Sequence, residues 1–126
     1  DMSAIKDYLH ELEMIIHEVP CKLFADLQVE NRGDVALYLR GKIIFTNESE
    51  LQFKEYFITI PMMKKMAYSY HYQNRDKELI FRYDNAEHHK EIETYPYHKH
   101  VTNEVLPSDI LSLKEVIKEI LKTLIR

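Results

Sequence analysis

The chain of 126 residues has few of the residues that build several common kinds of functional site. Its only glycines are Gly33 and Gly41, so it has no glycine-rich loop to cradle a phosphate, which excludes most nucleotide-dependent enzymes. Its one cysteine, Cys21, is unable to form an internal disulfide and favours a reducing environment. No apolar run approaches the roughly 20 residues of a membrane span, and no signal peptide is visible. We therefore expect a cytoplasmic protein with no membrane partner.

The charge is also unevenly distributed. A formal net charge of −4 argues against a protein that coats nucleic acid by bulk electrostatics. Residues 62–102 are the least acidic part, with 7 Lys and Arg against 6 Asp and Glu, and they hold five of the seven histidines. Local RNA binding in this segment fits the charge, whereas binding over a broad face is not expected.

The apolar spacing predicts a single α+β domain over residues 1–126. Apolar residues at three- and four-residue spacing predict a helix within residues 3–18 and another within 110–125. Ser112 and Glu115 fit a capping box for the second helix, and Ser108 or Asp109 after Pro107 is the alternative start. Between the two helices, alternation of apolar and polar residues predicts about five antiparallel strands across residues 21–84. We expect a meander sheet with the N-terminal and C-terminal helices packed on one face, which leaves the other face free for a site.

The candidate site is a cluster of histidines after the predicted fifth strand. Four of the seven histidines fall between positions 88 and 100. Metal-independent RNA cleavage needs a base for the ribose 2′-hydroxyl, an acid for the leaving 5′-oxygen and cations for the pentacovalent phosphate. The histidines can supply acid and base, two basic residues can supply the charge, and an aspartate can orient a histidine. The predicted catalytic set is Arg82, Asp84, His88, His89, His98, Lys99 and His100.

Two other interpretations use the same residues. In a metal-dependent nuclease, the His98 and His100 pair with one further histidine would supply three nitrogen ligands, and a carboxylate would be the fourth. The further histidine would be His88 or His89, and the carboxylate would be Asp84 or Glu87. In a non-enzymatic protein, the cluster would instead bind a target or a partner. The preferred interpretation, a metal-free ribonuclease, requires no cofactor.

A tyrosine stripe precedes the cluster. Tyr68, Tyr70 and Tyr72 share one face of the predicted fourth strand, and Tyr83 continues the pattern on the fifth. One interpretation is a half-buried sheet surface with the phenols at its rim. The other is a platform on which Tyr70, Tyr72 and Tyr83 stack RNA bases. His71 points to the opposite side, where a packing role and a role in the site are equally open.

The two histidine blocks resemble the signature of the TumE family, small prokaryotic proteins regarded as toxin components of type II toxin–antitoxin pairs. The resemblance covers about residues 21–122. Two positions depart from the family pattern, because Glu87 replaces a proline and Tyr97 stands where a further histidine is common. The matching segments are Phe81-Arg82-Tyr83-Asp84-Asn85-Ala86, His88-His89, Tyr95-Pro96 and His98-Lys99-His100-Val101.

The resemblance implies a growth-inhibiting toxin that acts on RNA and is neutralised by a cognate antitoxin protein. It assigns no catalytic residue, so the roles given above come from side-chain chemistry alone. Whether the protein forms a homo-oligomer is left open by the sequence.

Overall fold

The computed structural model describes residues 2–87, 94–109 and 111–125, which form two helices and seven strands. The first helix precedes the sheet and the second follows it, as the apolar spacing predicts. In chain order the elements are α1 (Met2–His17), β1 (Lys22–Arg32), β2 (Ala36–Phe45), β3 (Glu50–Ile58), β4 (Lys64–Gln73), β5 (Leu79–Asp84), β6 (His98–Val101), β7 (Glu104–Pro107) and α2 (Leu113–Leu124). Neither helix has the length and apolar character needed to cross a membrane.

Each strand pairs antiparallel with the next, so the sheet is a continuous meander from β1 to β7. The predicted α+β class, the antiparallel meander and both helices are confirmed. The five strands predicted across residues 21–84 are β1 to β5, but the whole sheet is larger than predicted, because β6 and β7 extend it to seven strands in the described part of the chain. These two strands have only four residues each, which is too short for alternation to identify them.

Both helices pack on the same face of the sheet. Tyr8 of α1 lies against Phe57 of β3, with 4.8 Å between ring centroids, and Tyr83 of β5 donates a hydrogen bond to Glu119 of α2. The predicted capping box of α2 is present, since Ser112 and Glu115 hydrogen-bond reciprocally. Buried side chains from the helices and from alternate strand positions form one hydrophobic core between them.

Gly41 allows a close contact in this core. A Cβ atom at Gly41 would lie only 2.3 Å from the ring of Phe53, its register partner on β3. A side chain at this position would therefore collide with the ring, and only glycine lets the two strands pack this closely.

The opposite face of the sheet, which we call the open face, is covered by neither helix. The register places two rows of side chains across it. The first row consists of Gln28, Arg40, Lys54, Ser69, Asp84 and His98. The second row consists of Asp26, Lys42, Gln52, His71, Arg82 and His100. The two rows bring residues from six strands onto one surface.

Candidate functional site

The candidate site lies where β5 pairs with β6 on the open face. The register sets Asp84 opposite His98 and Arg82 opposite His100. Because successive side chains of a strand point to opposite faces, His98 and His100 share the open face while Lys99 points to the helices. The pairing of β5 with β6 therefore brings His98 and His100 together and separates Lys99 from them.

Asp84 is the centre of the cluster. Its side chain is buried, with only 4% of the residue exposed, yet its carboxylate has polar neighbours on both oxygens. Oδ1 lies 2.8 Å from Nε2 of His98 and accepts a hydrogen bond from the backbone N–H of Ala86 at 3.0 Å. Oδ2 accepts from Nε of Arg82 at 3.1 Å and lies 3.5 Å from Nε2 of His100. The carboxylate is therefore placed to hold three side chains that carry, or can acquire, positive charge.

His98 is the most buried member of the cluster, at 1% exposed. Its Nδ1 lies 2.8 Å from the carbonyl oxygen of Pro96. A carbonyl oxygen accepts hydrogen bonds and donates none, so Nδ1 of His98 carries the proton of this bond. If the ring is neutral, Nε2 has no proton and directs a lone pair at Asp84. The 2.8 Å between Nε2 and Oδ1 of Asp84 suits either a proton shared by the two atoms or a metal ion bound by both. Because His98 is inaccessible to a large substrate, we assign it to holding Asp84.

The accessible part of the site is a row of three residues on adjacent strands. His71 of β4 is the register partner of Arg82, and Arg82 is the register partner of His100. The side chains of Arg82 and His100 are 41% and 22% exposed. His71 has one ring nitrogen 3.1 Å from Oε1 of Gln73, and its Nδ1 has no hydrogen-bond partner among the described residues. Two histidines thus flank an arginine, with their Cα atoms about 10 Å apart, or two inter-strand spacings.

His71 was not in the predicted catalytic set, although its position opposite to the tyrosine stripe was the signal that could have placed it there. His88 and His89 lie outside the described residues, so their roles remain predictions. Asn85 has the structural role expected of a turn residue. Its amide accepts from the N–H of Tyr68 at 3.0 Å and donates to the carbonyl of Met66 at 3.1 Å, which fixes the end of β5 to β4.

Three residues of the cluster could hold a metal ion. Asp84, His98 and His100 each offer one ligand atom, and these atoms all lie within 4.8 Å of one another. A metal-bound histidine usually donates its other ring N–H to a carbonyl or carboxylate, which is what Nδ1 of His98 does with Pro96. Three protein ligands with an open side are typical of a catalytic rather than a structural metal site.

Lys99 lies outside the cluster, so the structure does not bring it together with the other residues of the predicted catalytic set. Its Nζ lies on the helix-covered face, 3.0 Å from Oε2 of Glu119 and 5.0 Å from the ring centroid of Tyr83. Burial alone would lower the pKa of Lys99, but hydrogen bonds with Tyr83 and Glu119 outweigh it and raise that pKa. The charge of Lys99 therefore joins β6 to α2 and does not face the site.

The tyrosine stripe also lies on the helix-covered face. Tyr70 is fully buried, Tyr72 is 2% exposed and Tyr83 is 7% exposed. Their hydroxyls bond to Glu55, to Ser49 at 2.7 Å and to Glu119, respectively. Burial and the neighbouring Glu55 carboxylate raise the pKa of Tyr70, which keeps its hydroxyl protonated. The prediction that these three rings stack on bases is corrected accordingly, because a ring enclosed by the core has no face to offer a base.

A comparison with protein families finds one match over most of the chain. The family model described as Toxin TumE matches residues 12–126, a range that contains every strand of the sheet and α2. No curated protein and no solved structure matches the chain. The matched range includes Arg82, Asp84, His98 and His100, the residues that the strand pairing brings together. The chain therefore belongs to the TumE family of toxins.

Proposed function

We propose that this toxin cleaves RNA by metal-independent acid–base catalysis at the open-face cluster. The observation that carries the proposal is the partly exposed row of His71, Arg82 and His100, with the Asp84 carboxylate beside it. Histidine is the residue type that ordinarily titrates near neutral pH. Two histidines on either side of a fixed cation suit RNA cleavage, because the 2′-hydroxyl must lose a proton and the departing 5′-oxygen must gain one.

In the proposed reaction, each side chain of this row has one role. One histidine takes the proton of the 2′-hydroxyl as its oxygen attacks the phosphorus, and a second donates a proton to the departing 5′-oxygen, which leaves a cyclic phosphate. Arg82 stabilises the extra negative charge of the pentacovalent phosphate. We assign one histidine role to His100. The other belongs to His71 or to one of the predicted catalytic pair, His88 and His89.

Asp84 and His98 serve as positioning residues. The carboxylate stabilises His100 in its protonated form, 3.5 Å away, and holds the guanidinium of Arg82 by the hydrogen bond at 3.1 Å. His98 fixes the carboxylate from behind, because its own ring is held by Pro96. This support suits catalysis, since a reacting group that is already oriented needs no reorganisation during the reaction.

A second candidate function is a metal-dependent nuclease with Asp84, His98 and His100 as ligands. The observation in its favour is the hydrogen bond from Nδ1 of His98 to Pro96, which leaves Nε2 directed at Asp84. A bound metal ion would polarise the phosphate and activate a water molecule. In this version His98 and His100 act as ligands, and Arg82 still contacts the phosphate.

Membership of a toxin family also supports the proposal that the protein is paired with an antitoxin and acts in the cytoplasm. An antitoxin that covered His100 and Arg82 would block access of RNA to the site. Copurification of the toxin with the product of an adjacent small gene would test this pairing, and free toxin that is never neutralised by that product would contradict it.

The enzymatic proposal is tested by incubating purified toxin with single-stranded RNA, with and without a chelator. We expect His100→Ala to lower the cleavage rate by about 10²–10⁴-fold, the usual contribution of a general acid or base. His71→Ala should have a comparable effect if His71 is the second group, whereas an unchanged rate assigns that role to His88 or His89. His10→Ala is the matched control, because His10 is an exposed histidine of α1.

Chelator separates the two enzymatic candidates. Cleavage that survives chelation supports the metal-free mechanism, and cleavage that is lost and then restored by a divalent cation supports the metal site. Growth inhibition that persists undiminished in His100→Ala and Arg82→Ala would rule out both mechanisms and favour a toxin that acts by binding.

A further inference from the structure

The open face carries a band of cations that runs from β2 to the Asp84 cluster. Arg40 pairs with Lys54 in the register, Lys54 with Ser69, and Ser69 with Asp84. Both basic side chains are exposed. Nε of Arg40 donates to the neutral amide oxygen of Gln28 at 3.1 Å, and neither Arg40 nor Lys54 forms an ion pair within the described ranges. Two cations without an acidic partner in those ranges therefore lie in line with the Asp84 carboxylate.

The neighbouring row continues this charge toward the site. It begins with the acidic Asp26 on β1, continues with Lys42, whose Nζ lies 3.6 Å from Glu50, and ends with Arg82 and His100. From β2 to β6 the rows cross four inter-strand spacings, a distance of about 19 Å. The band is thus long enough to touch several phosphates of one extended strand, even though the net charge of the chain is −4.

An aromatic pair lies beside the band. Tyr38 and Tyr56 are register partners on β2 and β3, and their ring centroids are 5.7 Å apart at an interplanar angle of 51°. The guanidinium carbon of Arg32 lies 5.1 Å from the ring centroid of Tyr38. Unlike the tyrosines of the core, these two rings are only partly buried. They are the kind of surface on which a base of single-stranded nucleic acid stacks, whatever its sequence.

The surface between these residues is concave. A groove of about 470 Å³ is lined by Gln28, Arg32, Tyr38 and Arg40, among others, and a second of about 380 Å³ is lined by Arg40, Lys42 and Lys54, among others. Arg40 borders both grooves, which lie next to each other on β1, β2 and β3, and each groove has one acidic residue in its lining, Glu30 in the first and Asp26 in the second. Grooves of this size hold groups on the scale of a nucleoside.

We propose that the open face binds single-stranded RNA, with Arg40 and Lys54 on the phosphates and Tyr38 and Tyr56 against a base, and that it directs the strand to the Asp84 cluster. The proposal rests on the proposed ribonuclease function, since it names the surface by which that substrate is held. Exposed cations next to partly exposed rings fit a flexible polyanion with accessible bases. A protein partner on the same face is the alternative that the test must distinguish.

The test measures binding of a labelled, unstructured RNA oligonucleotide to the His100→Ala protein, which leaves the RNA intact. In this background the double change Arg40→Gln and Lys54→Gln should weaken binding by at least about tenfold at low salt. It should also reduce the slope of log Kd against log salt by about 1.4, or about 0.7 for each phosphate that the protein no longer neutralises. The matched control is Lys114→Gln with Lys118→Gln, which removes the same charge from exposed positions of α2 and should change neither value.

The aromatic pair is tested separately. Tyr56→Leu should weaken binding by about 5- to 150-fold, the range for loss of one stacked base, without a change in the salt slope. Thermal unfolding confirms that each variant is folded. Equal losses in the α2 control would overturn the proposal, because the effect would then come from net charge rather than from this face.

Failure of this proposal is distinct from failure of the proposed function. If the toxin with an intact His100 cleaves RNA, and the open-face variants bind and cleave as the parent does, the surface assignment is wrong and the ribonuclease stands. If those variants keep RNA binding but escape neutralisation by the antitoxin, the open face is a protein-docking surface and the proposal is overturned. If the parent toxin neither binds nor cleaves RNA, both proposals fail together.

Discussion

Glu55 and Asp84 are both buried carboxylates with several polar partners, but they lie on opposite faces of the sheet. Glu55 is 1% exposed and faces the helices, where it accepts hydrogen bonds from the hydroxyls of Tyr8 and Tyr70 and lies 3.0 Å from Nζ of Lys65. Asp84 is 4% exposed and faces the opposite side, where its partners are Arg82 and two histidines. The two sites place similar charges in different surroundings.

The difference lies in what the partners can do. Burial and the Glu55 carboxylate raise the pKa of Tyr8 and of Tyr70, so these partners hold their protons at neutral pH. Lys65 is also enclosed by aromatic rings, within 5.9 Å of the centroids of Phe57, Tyr68 and Tyr70. Around Asp84, by contrast, two partners are histidines, the residue type that ordinarily titrates near neutral pH, and His100 reaches solvent. The Glu55 network is suited to stability and the Asp84 cluster to chemistry.

Replacing each carboxylate by its amide should separate the stabilising role of Glu55 from the catalytic role of the Asp84 cluster, and we expect the largest effects from these two changes. Glu55→Gln should lower the free energy of unfolding by roughly 2–4 kcal/mol, because Lys65 loses its charged partner and the tyrosines lose charge-assisted hydrogen bonds. Asp84→Asn should lower RNA cleavage by about 10²-fold or more, because His100 loses the charge that stabilises its protonated form. Urea denaturation and cleavage rates, both measured on the two variants, check the pair of expectations.

The comparison requires that Glu55→Gln mainly lowers stability and that Asp84→Asn mainly lowers the cleavage rate. Cleavage per folded molecule should be unchanged in Glu55→Gln, and the stability loss in Asp84→Asn should be the smaller of the two. If Glu55→Gln abolished cleavage in a protein as stable as the parent, Glu55 would belong to the site and the division between the faces would be wrong.

Alkaline pH should lower the free energy of unfolding gradually, and by less than Glu55→Gln does at neutral pH, because it removes protons from the tyrosines. In the unfolded chain the tyrosines lose their protons near pH 10, whereas folding raises the pKa of Tyr8 and Tyr70 above that value, and burial raises the pKa of Tyr68 to about 12. Above pH 10 the folded state therefore holds more protons than the unfolded state, so stability falls as pH rises. Below pH 10 these groups are protonated in both states and contribute no pH dependence.

Each strongly shifted tyrosine contributes up to about 1.4 kcal/mol per pH unit to this decline. Tyr70→Phe removes one such group, so its free energy of unfolding should start lower at pH 7 and fall less steeply between pH 10 and 12. Urea denaturation at a series of pH values measures both quantities. A decline of equal slope in Tyr70→Phe and in the parent would show that Tyr70 is not held protonated by the fold.

The sequence predicted those features that depend on local periodicity. Spacing of three and four residues identified both helices, the pair Ser112 and Glu115 identified the capping box of α2, and alternation placed Tyr68, Tyr70 and Tyr72 on one face of β4. These features are predictable because they follow from the geometry of one helix or one strand.

Features that depend on which face the helices cover were not predictable. Alternation put Tyr70 and Tyr83 on one side, but only the packing of α1 and α2 shows that this side is the core. The same packing moves Lys99 away from the site. The strand register brings His71, Arg40 and Lys54 onto the same face as His100, although they are far from it in sequence. A count of charge along the chain therefore missed the positive charge that Arg40 and Lys54 add to the open face.

The most direct test of the central claim compares two residues that are adjacent in the chain but lie on opposite faces. Cleavage of single-stranded RNA should be measured for His100→Ala and Lys99→Ala at equal concentrations of folded protein. The proposed mechanism predicts that His100→Ala loses about 10²-fold or more of the rate, whereas Lys99→Ala keeps the parental rate. A comparable loss in Lys99→Ala, or a parental rate in His100→Ala, would contradict the assignment of the reaction to the open face.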